Sequence, residues 1–129
     1  MALANSSESV RLSSDCTCIG YPLEFECTAV GLGATIWQGS ALNCPSSLNK
    51  IQLYHSRFVS GRETGSCNGG NIVASGLDTA EGRYRSQLSI QSLGPEMAGA
   101  TVECLYDNGI HTHSINNITI IITTGIIKL

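Results

Sequence analysis

Two cysteines and one tryptophan constrain this chain more than any other feature. Cys27 lies in Phe25-Glu26-Cys27-Thr28-Ala29-Val30, Cys104 lies in Thr101-Val102-Glu103-Cys104-Leu105-Tyr106, and the single tryptophan, Trp37, falls between them. Both cysteine segments alternate small or apolar with polar residues, the pattern of a half-buried strand. A cysteine at the inward position of two distant strands, with a tryptophan between them in sequence, describes one sheet stapled to another and a large aromatic packed on the bridge.

The rest of the chain reads as strands around that pin. Ser9–Ser13 alternates and predicts a first edge strand. Leu23–Val30 puts Leu23, Phe25, Cys27 and Ala29 on one face, and Gly31-Leu32-Gly33 reads as a hairpin-type connection. Ala34–Gly39 carries Trp37, which is too costly to leave in water. Lys50–His55 alternates again, whereas 56–70 is Gly- and Ser-rich and reads as mostly irregular. Asn71–Ser75 predicts a short strand. Arg83–Gln91 aligns Tyr84, Ser86, Leu88 and Ile90, so Leu88 joins Trp37 as a core residue. Leu93–Gly99 is a connection with room for a helical turn. Ala100–Asp107 is a strand, and Asn108-Gly109 is a strong hairpin signal leading into a last strand from Ile110. Short strands between turns, without a long segment of helical period, predict an all-β, two-sheet sandwich.

At 129 residues the chain is one domain. We assign residues 1–7 to a leader, 8–122 to the domain and 123–129 to a tail. Seven basic against ten acidic side chains leave a net charge of −3, without the basic stripe that nucleic acid requires. Six cysteines in so short a chain point to disulfides and an oxidising compartment. Structural zinc sites use tight pairs of ligands, and only Cys16-Thr17-Cys18 is tight here. Met1-Ala-Leu-Ala has neither the basic nor the apolar region of a signal peptide, as expected of a trimmed secreted domain with an added start. The apolar tail is too short and too polar to span a bilayer. Any membrane attachment is expected from regions outside this chain.

Cys27–Cys104 is the first expected pair, and Cys44–Cys67 the second, tying down the region after Lys50–His55. Cys16 and Cys18 remain. They form a strained and readily reduced local bridge, exchange into the other pairs, or link to another chain. Their spacing also differs from the two intervening residues of redox motifs. His111 and His113 share a face of the last strand, and His55 could join them on a metal. With no third ligand fixed by sequence, two exposed strand residues is the simpler reading, and no metal or other cofactor is assigned. No phosphate-cradling loop, nucleophile elbow or carboxylate pair is present, so no catalytic residue is assigned. Asn5 and Asn117 head glycosylation sequons; on a strand, Asn117 needs an outward side chain, and a sugar there would guard that edge from pairing with another chain.

The order Cys27, Trp37, Cys104, with Arg57-Phe58, Ser86-Gln-Leu-Ser-Ile90 and Asn108-Gly109, resembles the variable set of the immunoglobulin superfamily over residues 8 to 122. The resemblance implies a Greek-key, V-type sandwich of strands A to G with C′. Two positions depart from it: Val102 stands where the family has its corner tyrosine, and Ala98 where an acidic partner for the arginine is usual. A narrower resemblance is to Ig-like ectodomains of sponge cell-surface proteins, including receptor tyrosine kinases and adhesion molecules. It is carried by Cys16-Thr-Cys18, Phe25-Glu-Cys-Thr28, Ile36-Trp-Gln-Gly-Ser-Ala-Leu-Asn-Cys-Pro45, His55-Ser-Arg-Phe58 and Cys67-Asn-Gly-Gly70.

The resemblance implies a non-enzymatic recognition or adhesion domain on the extracellular side of the plasma membrane. It would bind a protein partner, or itself as a weak homodimer, through the C–C′–F–G face. Gln38, Gln52, Tyr54, Tyr106 and His111 are the expected outward contact residues, tyrosine being favoured because it brings area at low entropic cost. Two other classes compete: a structural spacer in a longer ectodomain, and a secreted enzyme or metal-binding sandwich.

Overall fold

A computed structural model describes residues 8–12, 16–31, 33–44, 49–55, 64–76 and 83–123, with only the backbone at 54 and 55. Among these residues there are nine strands: β1 Ser9–Leu12, β2 Leu23–Val30, β3 Gly33–Gln38, β4 Lys50–His55, β5 Thr64–Cys67, β6 Ile72–Gly76, β7 Arg83–Ile90, β8 Thr101–Asp107 and β9 Thr112–Thr119. They form two antiparallel sheets, ordered β1-β2-β7-β6-β5 and β4-β3-β8-β9. The sheets pack as a sandwich around one shared apolar core. Single 3-10 turns occupy Asn68–Gly70 and Pro95–Met97.

Alternation in the sequence becomes alternation in burial. Leu23, Phe25, Cys27 and Ala29 are buried along β2, as are Tyr84, Ser86, Leu88 and Ile90 along β7. In register, Cys27 stands beside Ser86 in the first sheet, and Trp37 beside Cys104 in the second. The Cys27–Cys104 disulfide joins the two rows, with its Cα atoms 6.5 Å apart. The Trp37 indole N–H donates to Ser86 Oγ at 3.0 Å, joining them a second time. Thr35 Oγ1 donates to the same oxygen at 3.3 Å, and both hydroxyl residues are fully buried. The indole thus buries its large apolar surface without orphaning its one polar atom.

The other two bridges also form. Cys44 pairs with Cys67 and Cys16 with Cys18, leaving no free cysteine. The loop holding Cys16 and Cys18 is tied down at the base of the sandwich. Gly20 N–H donates to Leu93 O at 2.7 Å, Leu93 N–H to Tyr21 O at 2.9 Å, and Thr123 N–H to Thr17 O at 2.8 Å.

Several sequence expectations need correction. Gly31–Gly33 is not a hairpin, because β2 pairs with β1 and β7 while β3 lies in the other sheet; the chain crosses the sandwich there. The region expected to be irregular contains β5, so Cys67 ends a strand rather than lying in a loop. The last strand starts at Thr112, two residues later than expected, because Asn108–His111 forms a longer turn. In that turn Asn108 Oδ1 accepts from the backbone N–H groups of Ile110 and His111, each at 2.8 Å, an Asx arrangement that replaces the tight two-residue loop. Arg57-Phe58 lies outside the described residues.

β5 reaches across the sandwich toward β4. A β-carbon at Gly65 would come within 2.5 Å of Ile51 Cγ2, and Ile51 is itself buried. Gly65→Val should therefore overpack this seam and lower stability by about 1–3 kcal/mol in denaturant unfolding. Ser86→Ala should lower it by about 1–3 kcal/mol, because it strips the acceptor from a buried indole N–H. Pairing Ser86→Ala with Trp37→Phe should recover part of that loss, since no donor is then orphaned.

Candidate recognition surface

The outer face of the β4-β3-β8-β9 sheet can be read row by row from its register. One row runs Lys50, Gln38, Glu103, Asn117; the next runs Gln52, Ile36, Leu105, Ser114; the third runs Tyr54, Ala34, Asp107, Thr112. Ile36 and Ala34 lie on the face opposite Trp37. Both are buried, yet neither belongs to the core between the sheets. Ile36 and the half-buried Leu105 thus make an apolar centre with polar residues around it. Gln38 Nε2 donates to Glu103 Oε1 at 2.9 Å and fixes one side of that rim.

The opposite outer face differs in kind. There β1, β2 and β7 present Arg11, Glu24, Glu26, Arg83 and Arg85. Arg85 lies 3.0 Å and Arg11 3.7 Å from the Glu26 carboxylate. Such exposed pairs keep a surface wet and contribute little stability.

Of the expected contact residues, Gln38 and Gln52 lie on the outer face and are half-buried. Tyr54 shares their face by register, its side chain being outside the described residues. His111 is exposed, but in the β8–β9 turn rather than on a strand. Tyr106 is a correction. It lies two residues from Cys104, shares that inward face and is only 5 % exposed. Its own parity with the buried cysteine was the signal that sequence reasoning missed.

Tyr106 instead belongs to a cluster at the edge between the sheets. Its hydroxyl fills space that a β-carbon at Gly31 would occupy, at 2.8 Å, and Gly31 has a φ of +103°. The His113 ring meets the tyrosine edge-on with centroids 5.8 Å apart, and His113 Nε2 lies 3.0 Å from Glu8 Oε1. His111 and His113 therefore do not act as one pair, and among the described residues no three His, Cys, Asp or Glu side chains converge as a metal site would require. The residues missed were Ile36 and Leu105. An isoleucine next to the core tryptophan has to face outward, and that was available from the sequence.

A hollow of about 410 Å³ lies at the far end of the sandwich, against Ile19, Pro95, Ala98 and Ile120–Ile122. Its lining contains no titratable side chain, and substrate pockets use a few placed polar groups for orientation. Among the described residues no helix is long and apolar enough to cross a membrane. Three disulfides mark a chain of an oxidising, extracellular or secreted setting. No protein-family model matches the chain, and no curated protein matches it.

Burial raises the Tyr106 phenol above its ordinary value of 10.0, and the carboxylates of Glu8 and Asp107 raise it further. The folded state then holds this proton to higher pH than the unfolded chain does. Its contribution is fully present below pH 10.0 and is lost as pH rises through the folded-state value. The wild-type melting temperature should therefore fall more steeply above that pH than that of Tyr106→Phe, as calorimetry across an alkaline series would measure.

Proposed function

We propose that this chain is an extracellular recognition domain of the immunoglobulin V-type, carried by a cell-surface receptor or adhesion protein, and that it acts by binding rather than catalysis. The strand order supports that reading. The orders β1-β2-β7-β6 and β4-β3-β8-β9, with the Cys27–Cys104 bridge and Trp37 between the sheets, are those expected of strands A-B-E-D and C′-C-F-G in a Greek-key, V-type sandwich. β5 is an addition at the edge of the first sheet.

The observation that carries the functional reading is the contrast between the two outer faces. One is studded with paired charges, whereas the other has the half-buried Leu105 beside the buried Ile36 at its centre, inside a rim of Gln38, Gln52 and Ser114 with Lys50, Glu103 and Asp107 farther out. An apolar centre with a polar rim is the anatomy of a protein contact surface. Its partner is a protein, and a second copy on an apposed cell is the simplest candidate. The receptor tyrosine kinase assignment rests on the sequence resemblance alone.

The test is sedimentation of the glycosylated domain over a wide concentration range. The wild type should associate weakly. Gln52→Arg, a charge set beside the apolar centre, should abolish association while leaving the melting temperature unchanged. A wild type that stays monomeric throughout would eliminate self-recognition and favour a spacer. Association indifferent to Gln52→Arg would move the contact elsewhere.

A further inference from the structure

The register of β9 breaks once. Cys104 stands opposite Asn116 and Leu105 opposite Ser114, so Ile115 is an extra residue, a β-bulge. The bulge changes which side chains face outward. Simple alternation from His113, which is exposed but lies on the Tyr106 side of the ladder, would turn residue 117 to that same side. The extra residue shifts the phase, so Asn117 pairs with the outward Glu103 and Thr119 with Thr101. Ile115 packs against the core, whereas Asn117 and Thr119 are exposed. Both ends of the Asn117-Ile118-Thr119 sequon thus reach the outer face of the sheet, and the intervening Ile118 turns toward the core.

We infer that Asn117 carries an N-linked oligosaccharide and that this sugar closes the β8–β9 half of the proposed contact face, leaving the β3–β4 half for the partner. The second part rests on the recognition reading above; the modification itself does not. In the step, the Asn117 side-chain amide nitrogen bonds to the anomeric carbon of a lipid-pyrophosphate-linked oligosaccharide. The carbon–oxygen bond to the pyrophosphate breaks, that group departs with its electron pair, and the amide gives up one proton. Asn117 lies in the same row as Glu103 and Gln38. At about 4.8 Å per strand it is about 10 Å from Gln38 and a further strand from Lys50.

The edge itself points the same way. Among the described residues β9 forms a ladder only with β8; β1 approaches its other side, with Glu8 at His113, but adds no ladder there. Its sequence Thr-His-Ser-Ile-Asn-Asn-Ile-Thr contains no lysine, proline or carboxylate to discourage a second chain from adding on. Glu8 covers the strand at His113; farther along, past the bulge, a bulky hydrophilic group at Asn117 would guard the edge.

The experiment secretes the whole chain from a eukaryotic host, beside Asn117→Gln and Thr119→Ala, with Asn5→Gln as a control that leaves the edge sequon intact. Peptide mass mapping should find Asn117 occupied in the wild type and in Asn5→Gln. Hydroxyl-radical footprinting should find Leu105 protected in those two proteins and exposed in both edge variants, with Leu12 on the other sheet reacting equally in all four. An unmodified Asn117 overturns the inference. So does an occupied Asn117 with Leu105 as reactive as in the sugar-free variants. Neither readout needs a partner, so a failure of the recognition reading would appear separately, as no association in sedimentation with occupancy and footprint intact.

Discussion

Four side chains in a ring hold the two sheets in register: Cys27 beside Ser86 in one sheet, Trp37 beside Cys104 in the other. A disulfide closes one side across the sandwich and an indole–hydroxyl hydrogen bond closes the other. The two links do different physical work. The disulfide spans a sequence separation of 77 and acts chiefly on the unfolded chain, by about 4 kcal/mol in the loop-entropy account. The hydrogen bond acts on the native state, because a buried indole with no acceptor would penalise every alternative stacking of the sheets. Covalency brings the strands together, and directionality fixes how they meet.

The other bridges have smaller loops and more local duties. Cys44–Cys67, at a separation of 23, ties the segment after β3 to β5, where Gly65 leaves room for Ile51 to fill the seam. Cys16–Cys18 closes almost no loop, so chain entropy gives it little to contribute. Its place in the fold is conformational: it shapes the turn whose Thr17 receives the backbone of Thr123, while Gly20 and Tyr21 bond to Leu93. Three connections at the base of the sandwich thereby become one surface.

Much of this was legible in the sequence where burial is periodic. β2, β7 and β8 each carry an inward row of four or three residues around a cysteine, Leu88 or Val102, and their bounds follow the alternation closely. β5 was hidden because Thr64-Gly-Ser-Cys67 has little intrinsic strand preference and exists through its pairing with β6 and its bridge to Cys44. Gly31–Gly33 was misread because two glycines around one residue signal a tight reversal without saying which sheet receives the next strand. Tyr106 was misplaced by residue type: tyrosine suggested an interface, while its position relative to Cys104 required burial. Only the last of these could have been corrected without a structure.

The bulge at Ile115 belongs to a different category. Strand period tells which residues share a face only while the ladder is unbroken, and a single extra residue reverses every assignment beyond it. What sets the phase after the bulge is burial at the far end, where Ile118 packs inward and Ile120 is buried. Before it, His113, though exposed, is held on the Tyr106 side of the strand by Tyr106 and Glu8. The spacing from 113 to 118 is odd, so both ends can lie on that side only if one residue is spent between them. The bulge is thus the geometric consequence of anchoring both ends of β9, and the outward face of Asn117 follows from it.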